Sequence, residues 1–64
     1  MLERLTKLAE GLRTIEDTVE GDYKNFFGDR RMQVQSWIRT LQSGHEVDSV
    51  YVNEAATEFE TLII

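Results

Sequence analysis

Residues 1–19 have the sequence MLERLTKLAEGLRTIEDTV, and the spacing of their large apolar side chains decides the fold class. These side chains are separated alternately by four and three positions: Met1, Leu5, Leu8, Leu12, Ile15 and Val19. That spacing places them on one face of an α-helix, over a length too short for a free-standing coiled coil. Glu3 and Lys7, four residues apart, support the polar face. We therefore predict a helix over about residues 2–20.

Glycines divide the chain into three segments, and no proline interrupts them. Gly21 follows the last apolar residue of the first segment, where a glycine ends a helix at little cost, and Gly44 follows the second segment. Gly11 lies inside the first helix, where glycine costs about 1 kcal/mol relative to alanine. Gly11 is therefore either a tolerated surface glycine or a point where a neighbouring helix approaches closely.

The second segment also has helical spacing, with apolar residues at i, i+3, i+4 and i+7: Val34, Trp37, Ile38 and Leu41. We predict a helix over about residues 23–43, but its start has two interpretations. Tyr23 and Phe27 continue the same face if the helix is continuous. Alternatively, the chain breaks at Gly28, and Asp29 becomes the N-cap of a shorter helix.

The third segment favours a helix over about residues 48–62. Its apolar residues match one helical face: Val52, Ala55, Ala56, Phe59, Leu62 and Ile63. Asp48 as N-cap would place Val47 and Val52 at the two positions of a hydrophobic staple. The alternative is a β-hairpin, because residues 50–52 and 59–64 are rich in strand-forming side chains.

Length and composition limit the chain to one small domain, residues 1–64. A chain of 64 residues buries only about 60% of its unfolded surface and gains little stability from its own core. It has no cysteine for disulfides and a single histidine, His45, so we predict no structural metal site and no cofactor. We therefore predict an all-α, three-helix domain that assembles as a helical dimer.

Charge is distributed unevenly along the chain. Residues 1–20 hold three cations and five acids, residues 21–44 four cations and two acids, and residues 45–64 no Lys or Arg and five acids. The net charges are therefore −2, +2 and −5. Arg30 and Arg31 would lie in the first turn of a helix that begins near Asp29, and Glu58 and Glu60 near a helix C-terminus; both have the sign that a helix dipole disfavours. We predict that these two pairs contact each other, within one chain or between two.

The sequence has no catalytic motif, and we predict that the protein is not an enzyme. His45 lies near Glu46 and Asp48, but no serine or cysteine nucleophile is identifiable beside them. The N-terminal segment lacks the pattern of a secretory signal, and no apolar run approaches the roughly 20 residues that cross a bilayer. We expect a cytoplasmic protein without membrane contact. Small, acidic, cysteine-free chains are common among phage and plasmid accessory proteins, so such an origin is a compositional expectation.

The apolar C-terminal residues, Leu62, Ile63 and Ile64, need a cover, either the chain's own helices or a partner. We predict a protein–protein interaction module, an adaptor, inhibitor or regulator, whose partner is a second copy or a larger protein. The predicted partner-binding residues are Phe26, Phe27, Arg30, Arg31, Trp37, Glu58, Glu60, Leu62, Ile63 and Ile64. The alternative is a small nucleic-acid-associated transcriptional regulator that uses the basic second helix, although the net charge of −5 disfavours it.

Overall fold

The computed structural model describes residues 1–63, which form three α-helices and no strand: α1 (Leu2–Thr18), α2 (Asp22–Gln42) and α3 (Ser49–Thr61). The predicted all-α class is confirmed, and the predicted bounds agree with the helices to within two residues. The hairpin alternative for the third segment is wrong, since that segment is helical to Thr61. Ile64 lies outside the described residues.

The first two helices form an antiparallel hairpin joined by residues 19–21. The antiparallel arrangement is evident in the groove between the two helices, where residues 6–13 from the first part of α1 face residues 35–42 from the last part of α2. The end of α1 differs from the prediction, because the helix stops at Thr18 and Val19 is extended. Gly21 is instead the N-cap of α2, with a φ of 64° that glycine adopts at little cost.

Helix α2 runs through Gly28 without interruption, so the predicted alternative of a break with Asp29 as N-cap is wrong. Gly28 is buried, and a Cβ atom at this position would lie 2.7 Å from Oε2 of Glu16. The glycine is therefore explained by the close approach of a side chain from α1. Because α2 begins at Asp22, Arg30 and Arg31 lie in its third turn, where the helix dipole has little effect.

The connection between α2 and α3 is closed by a cap at each helix end. Gly44, with a φ of 85°, forms a Schellman motif: its N–H donates to the carbonyl of Leu41, and that of His45 to the carbonyl of Thr40. Asp48 is the predicted N-cap of α3, and its Oδ1 accepts a hydrogen bond from the Tyr51 N–H at 3.2 Å. Local sequence therefore determines where both helices end.

The core lies where all three helices meet and contains eight buried residues: Leu5, Leu8, Ala9, Leu12, Val34, Val52, Ala56 and Phe59. Trp37 of α2 packs against α3, with its ring stacked on Phe59 and in edge contact with Tyr51. Gly11 is a point of close approach, because a Cβ there would lie 2.7 Å from the Cδ1 of Ile63. The approaching group is a side chain just beyond the end of α3 and not, as predicted, a neighbouring helix.

Helix α3 runs opposite to α2 and is shorter. Its start lies beside the C-terminal half of α2, where Tyr51 contacts Trp37, and Leu62, just beyond its end, lines a groove with side chains from the first turns of α2. With 13 residues against 21, α3 is roughly 20 Å long and α2 roughly 32 Å. Part of the α1–α2 hairpin is therefore left without a third helix over it. None of the helices in residues 1–63 combines the length and the apolar character that spanning a membrane requires.

Candidate interaction surface

The first element of the surface is an ion pair that ties α1 to α2. Nε of Arg31 donates to Oε1 of Glu16 and Nη2 to Oε2 at 3.3 Å, while Nη1 donates to Gln35. Both charged side chains are largely buried, and Gly28 leaves the space that the carboxylate occupies. The hydrogen bonds from Arg31 lower the pKa of Glu16 below its ordinary value. This pair is internal to the chain and holds the hairpin in register.

A second ion pair ties α1 to α3. Arg4 donates to both carboxylate oxygens of Glu60, at 2.8 and 2.9 Å, and also to Asn53 and Thr57 along the same face of α3. The hydrogen bonds from Arg4 lower the pKa of Glu60. Like Glu16, Glu60 therefore has its arginine partner on another helix of the same chain.

These pairs correct the predicted contact of Arg30 and Arg31 with Glu58 and Glu60 in its within-chain form. Arg31 and Glu60 each have a different partner, and Glu58 is exposed. The partner of Glu60 is Arg4 and neither of the two predicted arginines. Arg4 lies in the first turn of α1 and carries the same unfavourable sign, so the same reasoning could have identified it.

Arg30 is partly buried but has no carboxylate within 4 Å among residues 1–63. Its guanidinium lies 3.6 Å above the centre of the Phe26 ring, and Nη1 donates to the Phe26 carbonyl. The sequence led us to expect a paired acid for Arg30. Among residues 1–63, the Phe26 ring and the Phe26 carbonyl are the groups that contact the guanidinium, and no carboxylate neutralises its charge.

Beside Arg30 lies an apolar groove of about 410 Å³, which we call the α2 groove. It is lined by Asp22, Tyr23, Phe26, Phe27 and Leu62. Tyr23 is 71% exposed and Phe26 38%, although the two aromatic rings Phe26 and Phe27 pack edge to face at 5.1 Å. Exposed aromatic side chains around a concave apolar surface are typical of sites that bind another protein.

The α2 groove exists because α3 ends before it covers the first turns of α2. Leu62 closes one side of the groove, while Ile63 packs against Gly11 on α1. Both residues are partly buried against the core, so the chain's own helices cover much of them. Ile64, also predicted to bind a partner, is not among the described residues.

The predicted site residues therefore fall into separate groups. Phe26, Phe27, Arg30 and Leu62 come together at the α2 groove. The structure places Trp37 against α3, and Arg31 and Glu60 in intramolecular ion pairs. Asp22 and Tyr23 line the groove but were not predicted site residues. The sequence predicts that Tyr23 lies on the apolar face of α2. The difference in length between α2 and α3 was the signal that this part of the face is exposed.

A second groove, of about 510 Å³, lies between α1 and α2 and is lined mainly by polar and charged residue types. Its lining combines two apolar residues with several charged or amide ones: Thr6, Ala9, Glu10, Arg13, Gln35, Ile38, Arg39 and Gln42. No partly buried ion or aromatic cluster marks it as a binding site. Within residues 1–63 no group of three potential metal-ligating side chains occurs, and His45 is an exposed residue of the turn before α3.

Comparison with known proteins yields no relative: no family model, curated protein or solved structure matches this chain.

Proposed function

We propose that this protein is a small non-enzymatic interaction module that binds other protein surfaces through the α2 groove. The observation that supports this proposal is the exposure of Tyr23 and Phe26 around an apolar concavity at the end of the helical hairpin. Burial of aromatic side chains supplies much of the affinity of protein interfaces. Arg30, which lies over Phe26, supplies a charge at the rim that selects partners by complementarity.

The position of the groove supports a binding role rather than a structural one. The eight buried core residues lie elsewhere, and Tyr23 belongs neither to that core nor to the residues that pack against it. A polar residue at position 23 would avoid an exposed aromatic ring without loss of a core contact. We expect the exposed ring to be retained for a contact outside the chain.

The proposal is tested with the variants Tyr23→Ser and Phe26→Ser, compared with Val50→Ser. Val50 is the matched control, because it is 67% exposed and lies in the first turn of α3, away from the groove. Each variant is used as tagged bait for association with proteins of the source cell and with untagged copies of the chain. We expect both groove variants to lose specific association and Val50→Ser to retain it.

Circular dichroism establishes that the variants are folded, so that loss of binding is not loss of structure. If the groove variants associate as the wild type does, with itself and with other proteins, the groove is not the binding surface and the proposal fails.

A nucleic-acid-binding regulator remains the second interpretation, and the chain offers it little support. Of the four cations in residues 21–44, Arg31 is paired with Glu16. The other three, Lys24, Arg30 and Arg39, give a weak attraction for phosphates in a chain whose net charge is −5. Gel retardation of duplex DNA at low salt, abolished in Arg39→Ala, would reverse this ranking.

A further inference from the structure

We propose that the occupant of the α2 groove is a second copy of this chain, packed with its α2 antiparallel to the first. In this dimer Asp22 of each copy meets Arg30 of the other, and the two Phe26 side chains meet at the two-fold axis. The inference rests on the proposed function, because it names the partner of the same groove.

The spacing of three residues on α2 supports this arrangement. Asp22, Phe26 and Arg30 follow one another at intervals of four, so they lie along one stripe of the helix. An acid and a base stand at equal distances on either side of an exposed aromatic ring. When two such stripes pack antiparallel about Phe26, residue 22 of one copy lies opposite residue 30 of the other. A two-fold interface of this kind is self-complementary in charge.

The lack of a carboxylate partner for Arg30 within residues 1–63 also supports a second copy as the occupant. Among the arginines that are at least partly buried, Arg4 and Arg31 each have a carboxylate, whereas Arg30 has none within residues 1–63. Asp22 is exposed at the rim of the groove and forms no ion pair among the described residues. Within residues 1–63, each copy thus presents one acid and one base without an ion-pair partner beside the same apolar surface. The other charged residue near this stripe, Asp29, would lie opposite Tyr23, whose hydroxyl can donate to it.

The available surface sets the strength of this dimer. The described chain has an accessible surface of 4446 Å², and even a weak, transient interface buries roughly 500 Å² on each partner. One helix stripe with a few aromatic side chains is of that order. We therefore expect a dimer that forms and dissociates with concentration in the micromolar range, in contrast to an obligate one.

Charge reversal with mixing tests the proposal. Sedimentation equilibrium is measured for the full chain, for Asp22→Arg, for Arg30→Asp, and for an equimolar mixture of the two variants. Each variant alone places like charges opposite each other twice, because of the two-fold symmetry. We expect dimerisation to weaken roughly tenfold or more in each variant at low salt. In the mixed dimer, which contains one copy of each variant, both contacts are again between opposite charges. We therefore expect dimerisation in the mixture to return to near the wild-type strength.

Arg39→Asp and Glu54→Arg are the matched controls, because they reverse exposed charges remote from the groove and should leave dimerisation unchanged. Circular dichroism checks each variant, since Asp22 also stabilises the N-terminus of α2. A wild-type chain that stays monomeric at about 1 mM overturns the inference, and so does a dimer that mixing fails to restore. If the groove variants still lose binding to a different protein, the proposed function survives that failure.

Discussion

The two ends of the α1–α2 hairpin differ in what covers them. At one end α3 completes a core in which Leu8 and Val34 are buried. At the other end α3 has already ended, at Thr61, and Tyr23 and Phe26 are exposed around the α2 groove. The apolar pattern of α2 extends over both ends, so hydrophobicity alone does not distinguish them. We infer that the covered end stabilises the fold and that the uncovered end binds a partner.

The largest difference between the two ends is expected in stability. Leu8→Ala removes a fully packed side chain from the core and should lower the free energy of unfolding by about 2–5 kcal/mol, enough to unfold much of so small a domain. Tyr23→Ala, at the uncovered end, should change it by about 0.5 kcal/mol or less in a dilute monomer. Urea denaturation measures both. Equal losses would contradict the division between a stabilising and a binding end.

A smaller effect is expected at the turn that brings α3 over the covered end. Gly44 has a φ of 85° within the Schellman motif, and a side chain there is strained. Gly44→Ala should therefore lower the free energy of unfolding by about 1–2 kcal/mol. Nothing lies within 4 Å of the position that a Cβ atom would take at residue 44, so a loss of stability would report backbone strain and not a clash. No change on urea denaturation would contradict the strain expected for a side chain at this positive φ.

The smallest effect on stability is expected when the pH is lowered, because acid weakens the ion pairs between helices. The pKa of Glu16 is lowered by hydrogen bonds from Arg31, so it lies below its value in the unfolded chain. The contribution of this pair to stability is therefore complete above the unfolded pKa, about 4.3, and is lost as pH falls through the folded pKa.

Glu16→Gln measures this contribution. The variant should be less stable than the wild type at pH 7, and the difference should vanish as the pH is lowered towards 2. Thermal unfolding followed by circular dichroism over that range records it. A difference independent of pH would show that Glu16 acts through packing and not through its charge. Glu58→Gln is the control, because Glu58 is an exposed carboxylate with no ion pair among the described residues.

Much of the fold was predictable because its signals are local. The apolar spacing predicted three helices, and Asp48 predicted the start of the third through a hydrogen bond only three residues long. In each of these cases the deciding interaction follows from helical spacing or from the capping chemistry of one residue.

The partners of the arginines were not predictable in the same way. Arg31 could reach several acids, and its pairing with Glu16 depends on the register of the hairpin and on the space left by Gly28. The short link over residues 19–21 indicated an antiparallel hairpin, and it could have directed attention to the acids of α1. The exposure of Tyr23 depends on the relative lengths of two helices that are distant in sequence, so no local pattern contained it.

We propose that two copies of this chain contact each other through the uncovered end of α2. Amide chemical shifts of the wild-type chain, recorded by NMR over a dilution series from about 1 mM to 10 μM, test it most directly. We expect the amide shifts of residues 22–30 and of Leu62 to change with concentration, while those of Val50 and Tyr51 stay unchanged. Shifts that do not change with concentration, or changes confined to α3, would contradict it.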